Sequence, residues 1–165
     1  MDRHPPAAIA VLGLGNVIHS DDGVGVHAVQ SLRADTRVPG DVEFIEGGTL
    51  GLDLLPHVWD ASRLLVLDAV DVGAAPGTLV CLSGEELWQL RRAGDAHLAG
   101  LADLLSALRL VAAKPPVVTV LGVQPRSTAW GTELSAEVGA SLPQLVTAAL
   151  DVLRKWTETT EKVTG

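Results

Sequence analysis

Residues Leu64–Val70 read LLVLDAV, four aliphatic residues in a row and then Asp68 two places before the run ends. An unbroken apolar run of this length is the pattern of a strand covered on both faces, as at the centre of a parallel sheet. Four further runs flank it. Ala8–Leu12 (AIAVL) ends at a glycine turn, and Val42–Glu46 (VEFIE) is closed by Gly47 and Gly48. Thr78–Leu82 follows the Pro76–Gly77 turn as a short edge strand, and Val117–Val123 (VVTVLGV) follows the helix-stopping pair Pro115–Pro116.

Helical periodicity fills the intervals. Val24, Ala28, Val29 and Leu32 form one apolar stripe, with Asp21 and Asp22 placed ahead of it as N-caps. Thr49 is placed to cap a short helix through Leu52, Leu54 and Leu55, and Glu85–Leu90 predicts one or two further helical turns. Leu101, Leu104, Leu105 and Leu108 recur at helical spacing. Ser135 is a candidate N-cap, Leu145–Trp156 closes the chain as an amphipathic helix, and the polar residues 157–165 are expected to fray. Strands alternating with helices predict an open, mostly parallel sheet covered on both faces, in one α/β domain over residues 1–165.

Composition narrows the function. The 165 residues carry 12 Lys and Arg against 20 Asp and Glu, a formal net charge of −8, and 47% of them are hydrophobic. That is ample for a core, and nearly all of it is aliphatic: there is no Tyr, one Phe, and the Trp residues are scattered at 59, 88, 130 and 156. Clustered aromatics and a basic surface are what nucleic-acid binding requires, and both are missing. Cys81 is the single cysteine, which excludes an internal disulfide and any thiolate-built zinc or iron–sulfur site. Its place in mid-strand predicts a small buried hydrophobe. No stretch approaches the ~20 apolar residues of a membrane span, and the N-terminus is not laid out as a signal peptide. A cytoplasmic location and a monomer are the expectations.

In open α/β sheets ligands bind beyond the carboxyl ends of the strands, and that rule ranks the polar residues. Asp21 and Asp22 follow the first strand, Glu46 ends the second, Asp68 ends the third, and His97 lies in the connection after the fourth. The stretch GLGN fails as a dinucleotide fingerprint, since Ile18 stands where a third glycine is required. No phosphate-binding lysine loop, HExxH motif or nucleophile-elbow serine is present. Gly47, Gly48 and Gly51 around Thr49 fit either a tight strand-to-helix turn or a close backbone approach to a bound peptide. A carboxylate closing a run like LLVL is costly to bury unless it is paired or bound to a cation. Asp22, Asp68 and His97 together make a donor set suited to a borderline divalent metal, nickel or zinc.

These segments resemble the nickel–iron hydrogenase maturation endopeptidases along nearly the whole chain. VLGLGNVIHSDDGVGVHAVQSL is similar to the family's opening strand, loop and helix; EGGTLGLDLL to its glycine–threonine segment; LLVLDAV to its third strand. PGTL, HLAGLADLLSALRL, and LGVQP followed by ELSAEV agree in order and spacing. The resemblance implies a twisted, five-stranded α/β/α sandwich. It also implies a protease that removes a C-terminal extension from the large-subunit precursor of a [NiFe] hydrogenase after nickel insertion, with nickel as the recognition signal. By the same resemblance Asp22, Asp68 and His97 contact the metal, Asp68 and Asp22 serve catalysis, and Gly47, Gly48 and Thr49 bind substrate. Nickel would arrive in the substrate, and other divalent ions can replace it in a crystal. Two points stay open: a one-residue offset exchanges Asp21 and Asp22 between ligand and helix cap, and Asp68 serves either as general base or as ligand alone. The competing readings are a nickel checkpoint that binds the precursor without cutting it and a small-ligand binding protein.

Overall fold

The computed structural model describes residues 8–92 and 99–164. Five strands form one sheet: β1 (Ile9–Leu14), β2 (Val42–Gly48), β3 (Arg63–Ala69), β4 (Leu79–Ser83) and β5 (Val117–Val123). Their order is β2-β1-β3-β5-β4, parallel throughout except for β4, which runs antiparallel to β5 at the edge. Helices cover both faces, giving the three-layer α/β/α architecture: α1 (Val24–Arg33), α2 (Leu55–Val58), α3 (Gly84–Arg92), α4 (Ala99–Val111) and α5 (Ala136–Thr164).

The two-residue period of the strands divides the core. Val11, Leu65, Leu67 and Val123 point to one face, where they pack with Val29 and Leu32 of α1 and Leu145, Leu150 and Leu153 of α5. Ala10, Leu12, Leu64, Val66 and Val120 point to the other, against Val58, Leu87 and Leu101 through Leu108. The strand LLVLDAV is buried along both faces from Leu64 onward, which is why it reads as an unbroken apolar run. At Gly25 in α1, a Cβ would lie 2.0 Å from the Leu67 carbonyl oxygen. The helix start is therefore pressed directly onto the end of β3.

Four local expectations change. Residues 157–164 continue α5 rather than fray. The long packed helix ahead of them has already met the cost of nucleation, and the Thr157, Thr159 and Thr160 hydroxyls donate to carbonyls one turn earlier. Cys81 is exposed, not buried, because β4 is an edge strand with one face open to solvent. Thr49 does not cap the next helix: the 3-10 turn Gly51–Leu54 has Leu50 at its N-cap and no side-chain cap. Nor do Asp21 and Asp22 cap α1, which starts from Gly23; both lie in the preceding 3-10 turn Ser20–Gly23 and are engaged elsewhere. Among the described residues, no helix is long and apolar enough to cross a membrane.

Candidate active site

The chain passes from β1 outward to β2 and then returns to β3 on the other side of β1. This reversal opens a crevice at the carboxyl ends of β1 and β3, the place where doubly wound sheets bind ligands. Asp22 reaches it from the β1–α1 loop and Asp68 from the end of β3. Both line one cavity of about 320 Å³, whose apolar wall is Leu14, Leu54, Leu101 and Leu104. Backbone at Gly15, Gly48, Gly51 and Gly100 makes up much of the rest.

Gly15 is what lets the loop turn there. Its φ is +106°, and a Cβ would stand 1.7 Å from the Asp22 carbonyl oxygen, so any side chain would displace the backbone that carries Asp22. The Asn16 N–H donates to Asp22 Oδ2 at 2.8 Å and orients the carboxylate. Asp68 is only 7% exposed and accepts from the Ala69 N–H at 2.8 Å. Burial, reinforced by the Asp22 charge, pushes the Asp68 carboxyl up to about 8, against a lowering effect of the Ala69 hydrogen bond. A buried carboxyl raised by desolvation and by the charge of a second acid on the same cavity makes a site that a divalent cation would relieve.

Asp21 has a different job. It is fully buried, and it accepts from the backbone N–H groups of Arg126, Ser127 and Ser135 at 2.9, 3.1 and 2.7 Å and from the Ser135 hydroxyl at 2.8 Å. Burial opposes its ionisation, but these donors outweigh it and hold the carboxyl below the ordinary range. Asp21 thus ties the β1–α1 loop to residues 126–135 and to the start of α5, where Ser135 also accepts from the Val138 N–H at 3.4 Å. Of the two adjacent acids, Asp22 is the one that lines the cavity.

The other predicted residues divide by place. Gly48 and Thr49 line the cavity. They also line an adjoining hollow of about 180 Å³, together with Val17, Val26 and Glu46. Gly47 is buried behind them, where a Cβ would meet Leu12 and Leu54 side chains at 2.7 and 2.9 Å; its lack of a side chain serves packing. Glu46 pairs with Arg33 at 3.4 Å on the rim. His97 lies outside the described residues. Among those described, no three metal-ligating side chains gather, so Asp22 and Asp68 are the members of the predicted set that the structure brings together. Leu14, Leu101 and Leu104 are not legible in the sequence as cavity walls, since cavity leucines carry the same strand and helix periodicity as core leucines.

A family model described as hydrogenase maturation protease, HycI, matches residues 26–152. The chain belongs to the hydrogenase maturation protease family. It is 36% identical over 156 residues to the hydrogenase expression/formation protein HupD of Rhizobium leguminosarum bv. viciae, covering 92% of this chain and 77% of that one. It is likewise 36% identical over 149 residues to the hydrogenase 2 maturation protease of Escherichia coli K12, covering 89% of this chain and 91% of the relative. The solved structure of the hydrogenase maturating endopeptidase HybD from Escherichia coli superposes with a TM-score of 0.81 over 89% of this chain and 92% of that one, at 36% identity. Membership of this family makes the chain a peptidase, and the three-layer fold is the fold of the HybD enzymes.

Proposed function

We propose that this maturation protease removes the C-terminal extension of a [NiFe] hydrogenase large-subunit precursor once nickel has been inserted, and that it recognises the bound nickel. The observation that carries this reading is the Asp22–Asp68 pair. Two carboxylates, one from the β1–α1 loop and one from the end of β3, share one cavity, and the buried one is pushed up to about 8 by its surroundings and by the other's charge. Such a pair is poised for a dication that arrives with the substrate. Nickel held in the precursor would gain oxygen ligands from Asp22 and Asp68 and an imidazole from His97, the third residue of the set implied by the resemblance.

The chemistry follows from that docking. A divalent ion polarises a carbonyl and acidifies a bound water, the two usual forms of metal assistance to hydrolysis. The positive charge also favours the ionised form of Asp68 over the neutral form that burial favours. Asp68 sits on a rigid strand end, which suits a group that must position water or accept its proton. Gly48 and Thr49 border the cavity and leave space for an extended peptide alongside. The substrate supplies the charge that completes the site, so nickel-free proteins leave it incomplete.

Family relatives described as proteases favour cleavage over a checkpoint that only binds. Mass spectrometry of purified nickel-loaded precursor, incubated with the protein, separates the two. The proposal predicts a large subunit shortened at its C-terminus, and an unchanged mass would refute it.

A further inference from the structure

We infer that Trp130 and His19, with the neighbouring Val17 and Ile18, form a preorganised docking platform for the folded body of the precursor, beside the cavity that receives its C-terminal segment. The inference rests on the function proposed above and names a surface for the same substrate outside the cavity.

Trp130 is 77% exposed, and Val17 and Ile18 are 39% and 44% exposed. A bare indole is unusual on a protein surface, and exposed apolar clusters of this kind mark sites of association. The Trp130 ring is held against His19, with ring centroids 4.4 Å apart and planes tilted by 35°. The loop that carries it is stitched to the β1–α1 loop. The Ser20 N–H donates to the Gly131 carbonyl at 2.8 Å, the Gly131 N–H to Ile18 at 3.0 Å, and the Asp21 N–H to Ser127 at 3.2 Å. The Ser20 hydroxyl donates to Ala129 at 2.9 Å, and His19 Nδ1 to the Thr128 carbonyl at 3.0 Å. Ser20 adopts a φ of +51° to make this possible, a conformation that costs a non-glycine residue energy and persists only where its surroundings hold it. The buried Asp21 carboxylate locks the base of the same loop.

This fixing of an exposed aromatic does nothing for the core. It does lower the entropy lost when a partner covers the ring. What covers it follows from continuity. Asp22 is separated from Ile18 by three residues, and Val17 lines the hollow that shares Gly15, Gly48 and Thr49 with the cavity. A protein whose C-terminal segment enters the cavity lies across this rim. The platform fits an apolar patch on that protein.

The test uses the intact protein and nickel-loaded precursor. Binding is measured by interferometry in the cleavage-deficient Asp68→Asn background, with Trp130 intact, Trp130→Ala or Trp130→Phe. Cleavage is measured in parallel with Asp68 intact. The platform predicts at least tenfold weaker binding for Trp130→Ala and a matching rise in KM with little change in kcat. It predicts partial recovery with Phe, and unfolding temperatures unchanged by either substitution. Equal binding by Trp130→Ala and the parent would overturn the inference while leaving the proposed activity standing. So would a Trp130→Ala effect that sedimentation traces to lost self-association, which would assign the patch to a second copy. If the protein with both Asp68 and Trp130 intact does not cleave the nickel-loaded precursor, the functional proposal falls, and this one with it.

Discussion

Asp21 and Asp22 are adjacent in sequence and bond in different directions. Asp21 is buried under donors from residues 126–135, and Asp22 lines the cavity with Asp68. One residue anchors the loop, and the other is presented by it.

That division predicts opposite outcomes for the same substitution. Asp21→Ala leaves three backbone N–H groups and a hydroxyl without their acceptor, at a cost of about 3 kcal/mol. Differential scanning calorimetry should show a fall in Tm of roughly 6–12 °C. Asp22→Ala should leave Tm within about 2 °C of the parent and abolish processing. If Asp21→Ala is thermally neutral and inactive while Asp22→Ala is unstable, the roles are exchanged.

Asp68→Asn should be folded and inactive, with a loss of processing of at least about 10²-fold, and its stability relative to the parent should depend on pH. The folded-state value of about 8 lies above the ordinary carboxylate value of 3.8. The folded protein therefore binds the extra proton between these limits. The stability this group contributes is fully present below the unfolded value and is lost as pH rises through the folded one. Asparagine stays neutral and avoids that loss. The gain in Tm of Asp68→Asn over the parent should be small at pH 5 and largest at pH 8–9, and a constant difference across that range would contradict the assignment.

The fold and part of the site were legible because they rest on patterns the backbone imposes. LLVLDAV reads as a central strand because both faces of β3 are covered, and its terminal acid reads as functional because nothing in a core calls for one. Polarity at 157–164 suggests fraying, whereas a long helix already packed through Trp156 carries its own continuation. Cys81 departs from the expected burial because apolar character does not distinguish a central strand from an edge. The choice between Asp21 and Asp22 has no signal in the residues themselves, and the resemblance alone favours Asp22 as the ligand. It depends on donors from Arg126, Ser127 and Ser135, more than 100 residues away, and no local pattern encodes them.

Gly15→Ala should damage the site through the backbone alone. With φ at +106° and a Cβ 1.7 Å from the Asp22 carbonyl, the loop must open to admit the methyl group. Expected are a loss of at least about 1–2 kcal/mol in urea unfolding and a processing defect comparable to Asp22→Ala. Full activity would show that the loop geometry is not required.

Cys81 offers a control on the chemistry. It is exposed on β4, and neither cavity-facing acid lies on that strand. Iodoacetamide should label it in the folded protein, seen as one added group by mass spectrometry, with processing undiminished. Inactivation on labelling would call for a thiol in the mechanism.

The central claim is that nickel in the substrate completes the site formed by Asp22 and Asp68. Its most direct test is the rate at which the purified protein shortens a large-subunit precursor prepared with nickel and the same precursor prepared without it. The account predicts cleavage of the nickel-loaded form and no measurable cleavage of the nickel-free form. Equal rates for the two would contradict it.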